Sequence, residues 1–219
     1  MPRSDARDRD SRSRGDRAVP PALGPGDCPL EALREVHFLQ RQICIDMEAL
    51  AVTTVARPAL ALQILTNLCR DLPLHHADED EVLFPRLRKR ATADDDIETL
   101  LDRLAADHHA VAAQSEPLLA ALECMADGAL PAPEDRVALR ALAQAKRRHM
   151  TIENAIILPL ARARLTRADR AALKAAMLAR RAAPFTAEGP CRRVLEARAE
   201  QQKPEAVSTR PGHLPPDGR

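Results

Sequence analysis

The chain has 219 residues, with 33 Lys and Arg against 32 Asp and Glu, so its formal net charge at pH 7 is +1. This balance provides no overall field that would draw the chain to nucleic acid or to an anionic membrane, and neither is expected as a partner. Aromatic residues make up only 1% of the chain, which excludes an aromatic core and favours helices packed through Leu, Ala, Val, Ile and Met.

Both ends of the chain have the composition of disordered tails. Residues 1–28 mix Arg and Asp with Ser, Gly and Pro, and residues 184–219 are rich in Pro. Such segments bury too little apolar surface to offset the entropy that is lost on ordering. We therefore predict an N-terminal tail over 1–28, a folded domain over 29–183 and a C-terminal tail over 184–219.

The cysteines and the apolar runs indicate the cellular compartment of the protein. The five cysteines form no C-x-x-C pair, and their odd number argues against a disulfide framework. The first residues lack the apolar stretch of a secretory signal, and no apolar run approaches the roughly 20 residues that cross a bilayer. The expectation is a soluble protein of the reducing cytoplasm without membrane attachment.

The first two helices are predicted from apolar residues that recur at three- and four-residue intervals. Helix one should run from about Pro29 to Val52, and helix two from about Pro58 to Lys89. Pro73 should bend helix two, because proline lacks the N–H that a helix interior needs.

The next two helices show the same periodicity. Their predicted bounds are Asp95 to Met125 for helix three and Pro133 to Arg164 for helix four. Pro117 is a potential kink in helix three, and Pro159 should disturb the last turn of helix four. The apolar stripe predicted for helix four includes Ala145, Ile156 and Leu160.

Local signals indicate how these helices end and pack. Asp127-Gly128 is a plausible stop for helix three. Thr166-x-x-Asp169 resembles a capping box and predicts a short fifth helix. Because the connections are short and each helix has one apolar stripe, the predicted fold is an all-α, up-down-up-down four-helix bundle.

Ionisable residues interrupt the apolar stripes of all four helices. Charged glutamates are almost never fully buried unless they are paired or bind a metal, because an unpaired carboxylate loses much hydration. The residues in question are His37, His75, Glu79, His108, His149 and Glu153.

Helices two and four share one local motif, in which His precedes Glu by four residues and Pro by ten. A four-residue step places two side chains on one helical face, roughly 5–6 Å apart at Cβ, so both can reach one metal cluster. The two copies are His75, Glu79 and Pro85, and His149, Glu153 and Pro159.

Helices one and three each add one histidine of the stripe, His37 and His108. The chain thus has two helical hairpins, and each hairpin has one His on its first helix and one H-x-x-x-E motif on its second. A pseudo-twofold arrangement of the hairpins would bring all six residues to the bundle axis. Imidazole together with carboxylate suits iron, and carboxylates from facing helices commonly bridge paired metals in bundles. Glu79 and Glu153 are the natural bridges.

Two motifs together resemble the hemerythrin-like, HHE cation-binding proteins. They are H-H-x-x-E-x-E-x-L-F-P, from His75 to Pro85, and H-x-x-x-E-N-x-x-x-L-P-L-A, from His149 to Ala161, and the similarity extends from about Leu30 to Arg181. The resemblance implies a non-haem centre of two Fe ions bridged by carboxylates. By this resemblance His37 and His75 would bind one iron, His108 and His149 the other, and Glu79 and Glu153 would bridge them.

The chain departs from the oxygen-carrying hemerythrins at two points. Those proteins have a fifth histidine four residues after the first His of helix three, where this chain has Ala112. They also place the acid of helix four five residues after its His, whereas Glu153 follows His149 by four. The expectation is therefore an open iron position and no reversible oxygen carriage.

Several neighbouring residues are expected to stay outside the site. His76 would break the spacing to Pro85 and His109 falls off the stripe, so both are assigned to the surface or to the surroundings of the ligands. Cys44 is interpreted as a small buried hydrophobe. No role is assigned to a run of charges on helix two, which consists of Asp78, Asp80 and Glu81.

Three functional interpretations remain open. The favoured one is a di-iron protein that binds or senses oxygen, nitric oxide or iron. The alternative is a di-iron enzyme that reduces peroxide or nitric oxide or repairs iron–sulfur centres, although the repair proteins usually have a cysteine-bearing N-terminal domain and nothing before Pro29 could form one. The third is a scaffold that binds zinc or no metal.

Overall fold

The computed structural model describes residues 28–192 and 194, and all regular structure in this part of the chain is helical. Five helices follow one another, and we label them α1 to α5. Three are continuous α-helices: α1 (Pro29–Val52), α3 (Glu98–Ala126) and α5 (Arg167–Ala182). Within these residues, no helix is both long enough and apolar enough to span a bilayer.

The other two helices each join several segments without a break. Helix α2 covers residues 58–90, and helix α4 covers residues 133–164. The segments of α2 are Pro58–Thr66, the π turn Asn67–Asp71, Leu72–Asp78, the π turn Glu79–Leu83, and Phe84–Arg90. The segments of α4 are Pro133–Ile152, the π turn Glu153–Ile157, and Leu158–Arg164.

Helices α1 to α4 form the predicted up-down-up-down bundle. Helix α1 packs mainly against α4, and α2 packs mainly against α3. The short α5 starts at the predicted capping box, where the Asp169 N–H donates to Thr166 Oγ1 over 3.2 Å. Helix α3 ends at Ala126, and Gly128 follows with φ +101°, a conformation that glycine adopts without strain.

A proline follows each π turn, with one residue between the end of the turn and the proline. The N–H groups of Leu72, Phe84 and Leu158 each donate to the carbonyl five residues earlier. The next residue in each case is Pro73, Pro85 or Pro159. A wider turn accommodates a residue that lacks an N–H and whose ring would collide with the carbonyl four residues before it. The disturbances expected at Pro73 and Pro159 take this form, whereas Pro117 lies within the α-helical α3.

The π turn of α4 shifts the buried face by one residue, and part of the predicted stripe was wrong for this reason. Ile156 is 45% exposed and Leu160 is only half-buried, whereas Ile157 is completely buried. A π turn contains one more residue than an α turn, so every later side chain rotates away from its expected direction.

The ionisable residues lie between two apolar clusters along the bundle axis. In α1, His37 stands between Leu33 of one cluster and Ile43 of the other. In α3, His108 stands in the same way between Leu104 and Val111. The site is therefore covered by apolar side chains at both ends.

The beginning of the predicted C-terminal tail packs on the bundle, which corrects the boundary at residue 183. Phe185 packs against the core, Val194 is 1% exposed, and a disulfide joins Cys69 of α2 to Cys191. Pairing depends on the tertiary fold, so the cysteine count wrongly argued against a disulfide. The predicted tail residues 1–27, 193 and 195–219 lie outside the described residues.

Candidate metal centre

All six predicted ligands converge at the middle of the bundle. Helices α1 and α3 contribute one histidine each, and α2 and α4 contribute one H-x-x-x-E motif each. Every one of the six is buried, and both glutamates are completely inaccessible to solvent. Their potential ligand atoms form two groups of four, in each of which all atoms lie within 4.8 Å of one another.

The first group consists of His37, His75, Glu79 and Glu153. His37 Nε2 lies 3.5 Å from Glu79 Oε1 and 3.3 Å from Glu153 Oε2. His75 Nε2 lies 3.4 Å from Glu79 Oε2. One ion placed among these atoms would have two imidazole nitrogens and two carboxylate oxygens within reach.

The second group consists of His108, His149 and the same two glutamates. His149 Nε2 lies 3.0 Å from Glu153 Oε1, and His108 Nε2 lies 3.5 Å from Glu79 Oε2. The two imidazole Nε2 atoms face each other at 2.9 Å. Because both groups share Glu79 and Glu153, the two glutamates stand where bridging carboxylates would stand.

The polar atoms of this cluster lack the partners that buried polar atoms normally have. Neither carboxylate oxygen of Glu79 or Glu153 accepts a hydrogen bond of normal geometry from the described residues, and the same holds for both ring nitrogens of His37. An unsatisfied buried polar group costs about 1–3 kcal/mol, and a charged one costs more. Cations held by nitrogen and oxygen donors would satisfy the four carboxylate oxygens and His37 Nε2, so the residues fit a metal centre.

The electrostatic environment keeps three of the six donors in the form that metal binding needs and favours the protonated form of two others. Burial lowers the pKa of His37 and of His75, so both imidazoles are neutral and keep a free lone pair. Burial would also raise the pKa of Glu153, but contact with His149 and its positive charge lowers it. Glu79 differs, because burial and then the neighbouring Glu153 raise its pKa well above the ordinary value. Burial would lower the pKa of His149, but contact with the Glu153 carboxylate raises it.

An aspartate orients one imidazole of the second group. His108 Nδ1 lies 2.9 Å from the Asp80 carboxylate, whereas His149 Nδ1, at 3.5 Å from Asp107 Oδ2, forms no hydrogen bond of normal geometry. A carboxylate at Nδ1 keeps the proton there and directs the Nε2 lone pair towards the centre of the site. Asp80 therefore has a role that sequence analysis did not assign to it.

Asp78 is a second residue whose role the sequence did not reveal. It is completely buried, and its two carboxylate oxygens lie 2.8 Å from Arg180 and Arg181 of α5. Both arginines lie on the fifth helix, so this cluster anchors α5 against α2 immediately before Glu79.

The remaining candidates lie outside both groups, as expected. His76 stacks on His108 with 3.9 Å between ring centroids, and burial lowers its pKa. His109 is exposed, and Cys44 is buried in an apolar cluster. Ala112 is exposed, so position 112 does not face the centre as the resemblance to the oxygen carriers implied, and Val111 is buried instead.

Lys146 is a buried lysine near the centre that the sequence did not predict. It is only 3% exposed, and its ammonium donates to Gln40 Oε1 over 2.7 Å and to Asn67 Oδ1 over 3.1 Å. The predicted stripe of α4 passed through Ala145 instead. A lysine at helical spacing is normally assigned to the solvated face, and the sequence contains no local signal for its burial.

The fold is an all-helical bundle, and a cluster of six residues that could hold metal ions lies on its axis. The family model described as Hemerythrin HHE cation binding domain matches residues 28–161. Since this match covers more than half of the chain, the protein belongs to the hemerythrin HHE cation-binding family. Neither the comparison with curated proteins nor the comparison with solved structures gave a match.

Proposed function

We propose that this protein holds two non-haem iron ions and binds a small diatomic molecule, oxygen or nitric oxide, at that centre. The observation that supports the proposal best is the pair of four-residue groups that share Glu79 and Glu153. In this assignment one ion is bound by His37 and His75. The other ion is bound by His108 and His149.

Iron is the favoured metal because of the chemistry of the donors. The set contains imidazoles and carboxylates and no thiolate, a combination that suits iron, and bridging carboxylates are common between paired irons in helical bundles. When bound, the iron would supply redox chemistry and a coordination position that a small molecule can occupy. The residues that lack hydrogen-bond partners support metal binding over a metal-free scaffold.

The surroundings of the centre favour a small ligand. Apolar clusters lie on both sides of it and exclude water. A cavity of about 10 Å³ adjoins His75 and His149, which is close to the smallest volume that holds one water molecule. Such a space excludes a substrate of many heavy atoms and suits a small ligand.

The proposal does not depend on a cellular location. A cytoplasmic location was expected from reduced cysteines, and the disulfide between Cys69 and Cys191 weighs against that argument. Fractionation of the native cells, with detection of the protein in each fraction, would decide the location.

The test is anaerobic titration of the reduced, iron-loaded protein with nitric oxide and with oxygen, followed by optical spectroscopy. Saturable spectral changes with a fixed stoichiometry are expected. His149→Ala should remove them, whereas His109→Ala should leave them intact, because His109 is an exposed histidine outside both groups. Absence of any ligand-dependent change in protein that contains iron would overturn the binding proposal. Steady turnover of peroxide or nitric oxide well above that of free iron would replace it with the enzymatic alternative.

A further inference from the structure

The outer face of α1 carries a stripe of exposed apolar side chains. Phe38 is 69% exposed, Ile45 51% and Val52 65%, and each follows the previous one at a heptad spacing. One heptad is nearly two helical turns, so successive side chains lie roughly 10.5 Å apart along the axis and about 20° apart around it. Apolar residues that are scattered singly on a surface are normal, whereas these three form one line about 21 Å long.

The apolar surface continues beyond the end of α1. Val55, in the connection to α2, is 60% exposed, and Val137, near the start of α4, is 67% exposed. The guanidinium of Arg136 joins these segments, because it donates to the backbone carbonyls of Ala51 and Thr53. Exposed apolar residues of both segments therefore lie at the Val52 end of the stripe.

The charges beside the stripe have a self-complementary order. Arg41 stands four residues before Ile45 and is exposed, and Glu48 stands three residues after it and is half-buried. These steps turn both side chains to the same side of Ile45, by about 40° and 60°. That side faces α4, because Glu48 pairs with Arg147 at 2.6 Å. Along this edge α1 is thus basic before Ile45 and acidic after it.

The opposite edge of the stripe is uncharged near Ile45. It carries Gln42 and Ala49, and both are half-buried. Gln42 donates to Asp46 over 3.1 Å, which directs that edge towards α2, where Gln63 donates to the same carboxylate. A partner that covers Ile45 would therefore bury no unpaired charge on this side.

This layout fits a second copy of α1 that lies antiparallel on the first, related to it by a twofold axis beside Ile45. The two Ile45 side chains then meet, and Phe38 of each copy faces Val52 of the other. Arg41 of one copy and Glu48 of the other come to the same edge, within about 2 Å of each other along the helix axis. A parallel pair would place Arg41 and Glu48 on opposite edges and form neither ion pair.

We propose that the face of α1 from Phe38 to Val52 is a docking surface for a second copy of this chain, which forms an antiparallel twofold dimer. The inference goes beyond the proposed function and does not rest on it, because the six candidate metal ligands are buried inside the bundle. The formal net charge of +1 imposes little repulsion between two copies.

The terminal segments of the chain match this face less well. Val19 and Leu23 are the large apolar residues between positions 2 and 27, and they are too few for a line of three. Among residues 195–219, Leu195, Val207 and Leu214 do not repeat the heptad spacing. A second α1 supplies both the spacing and the complementary charges.

Sedimentation equilibrium of the purified full chain is the first test. A face of this length makes a small interface, so a monomer–dimer equilibrium is expected between about 1 µM and 1 mM protein. Ile45→Asp should weaken association by at least about 100-fold, because it brings two carboxylates together at the axis. Leu178→Asp is the matched control, since Leu178 is 41% exposed on α5, and it should leave association unchanged.

Charge exchange tests the pairing of Arg41 with Glu48. Arg41→Glu and Glu48→Arg should each weaken self-association about 10-fold, because each replaces two attractive contacts of the dimer by repulsive ones. An equimolar mixture of the two variants should associate at least as well as the unmodified protein, since every contact between the two different chains is then attractive. Failure of the mixture to associate would overturn the assigned pairing.

Thiol cross-linking tests the direction of the helices, with Cys124→Ser as the background because Cys124 is an exposed free thiol. A short bifunctional maleimide should link Ile45→Cys to itself. It should not link Phe38→Cys to itself, because those positions are about 21 Å apart in the dimer, but it should link Phe38→Cys to Val52→Cys in a mixture. Unmodified protein that stays monomeric up to about 1 mM, or dimers that Ile45→Asp leaves intact, would overturn the inference.

Discussion

Replacement of Glu79 with methionine is predicted to change metal content and stability in opposite directions. Glu79 belongs to both groups of ligands, so its loss removes one donor from each ion. It is also completely buried, and neither of its oxygens accepts a normal hydrogen bond from the described residues. The carboxylate therefore supports metal binding and weakens the metal-free fold.

The stability change can be given a rough size. An unsatisfied buried polar group destabilises a fold by about 1–3 kcal/mol, and an apolar side chain of similar volume in its place should recover about that much. The raised pKa of Glu79 also indicates that the site disfavours its charged form, because of burial and the nearby Glu153. For a chain of this size each kcal/mol moves the melting temperature by about 2–4 °C. Metal-free Glu79→Met should therefore melt several degrees above metal-free unmodified protein.

The assay uses calorimetry on chelator-treated protein and iron analysis on reconstituted protein. Glu35→Met is the matched control, because Glu35 is exposed on α1 and lies outside both groups, and it should leave both quantities unchanged. Iron should fall from about two per chain to one or none in Glu79→Met, since a shared ligand is lost. Full iron content, or a metal-free variant that melts lower than the unmodified protein, would refute the reasoning.

Three more predictions follow from the same surroundings. Iron affinity should rise with pH in chelator-competition titrations, because the pKa of Glu79 is raised and its proton must leave before the carboxylate binds metal. A flat profile would contradict this. Denaturant unfolding of the metal-free protein should show stability rising between about pH 8 and 10.5, by up to about 3 kcal/mol, because unfolded Lys146 then binds more protons than folded Lys146. The rise should be absent in Lys146→Met. Asp80→Asn should weaken iron binding about 10- to 100-fold by freeing the His108 ring, whereas Asp94→Asn, at an exposed position, should not.

Sequence periodicity was sufficient to predict the helices and the six buried residues that the structure brings together. Each helix shows its buried face through apolar residues at short intervals, and that face is a local property of the chain. The H-x-x-x-E spacing is local as well, so Glu79 and Glu153 could be recognised as residues in apolar positions. The order of the four helices and the capping box at Thr166 followed from similarly local signals.

The features that were missed depend on contacts between distant segments. Burial of Lys146 requires the amides of α1 and α2, and the role of Asp80 requires His108 of α3. The disulfide between Cys69 and Cys191 joins residues separated by 122 positions. Composition rules place lysine and aspartate on the solvated face and give no pairing for cysteines.

The π turns represent a third kind of difference. The prolines predicted a disturbance of the helices but not its form. A proline can kink a helix, end it or lie within a continuous helix, and Pro117 does the last of these. The extra residue in the turn Glu153–Ile157 then changed which side chains of α4 face the core. The two α4 residues of the centre were unaffected, because His149 and Glu153 come before the register changes. In α2, His75 and Glu79 both follow the π turn Asn67–Asp71, so their spacing to each other is kept.

Metal analysis of the purified protein tests the central claim most directly. The protein is produced with iron in the medium, and iron and zinc are measured together with protein concentration by amino-acid analysis. About two irons per chain are predicted, one for each group of ligands, with little zinc. Zinc in place of iron, or less than half an iron per chain after anaerobic reconstitution, would contradict the account.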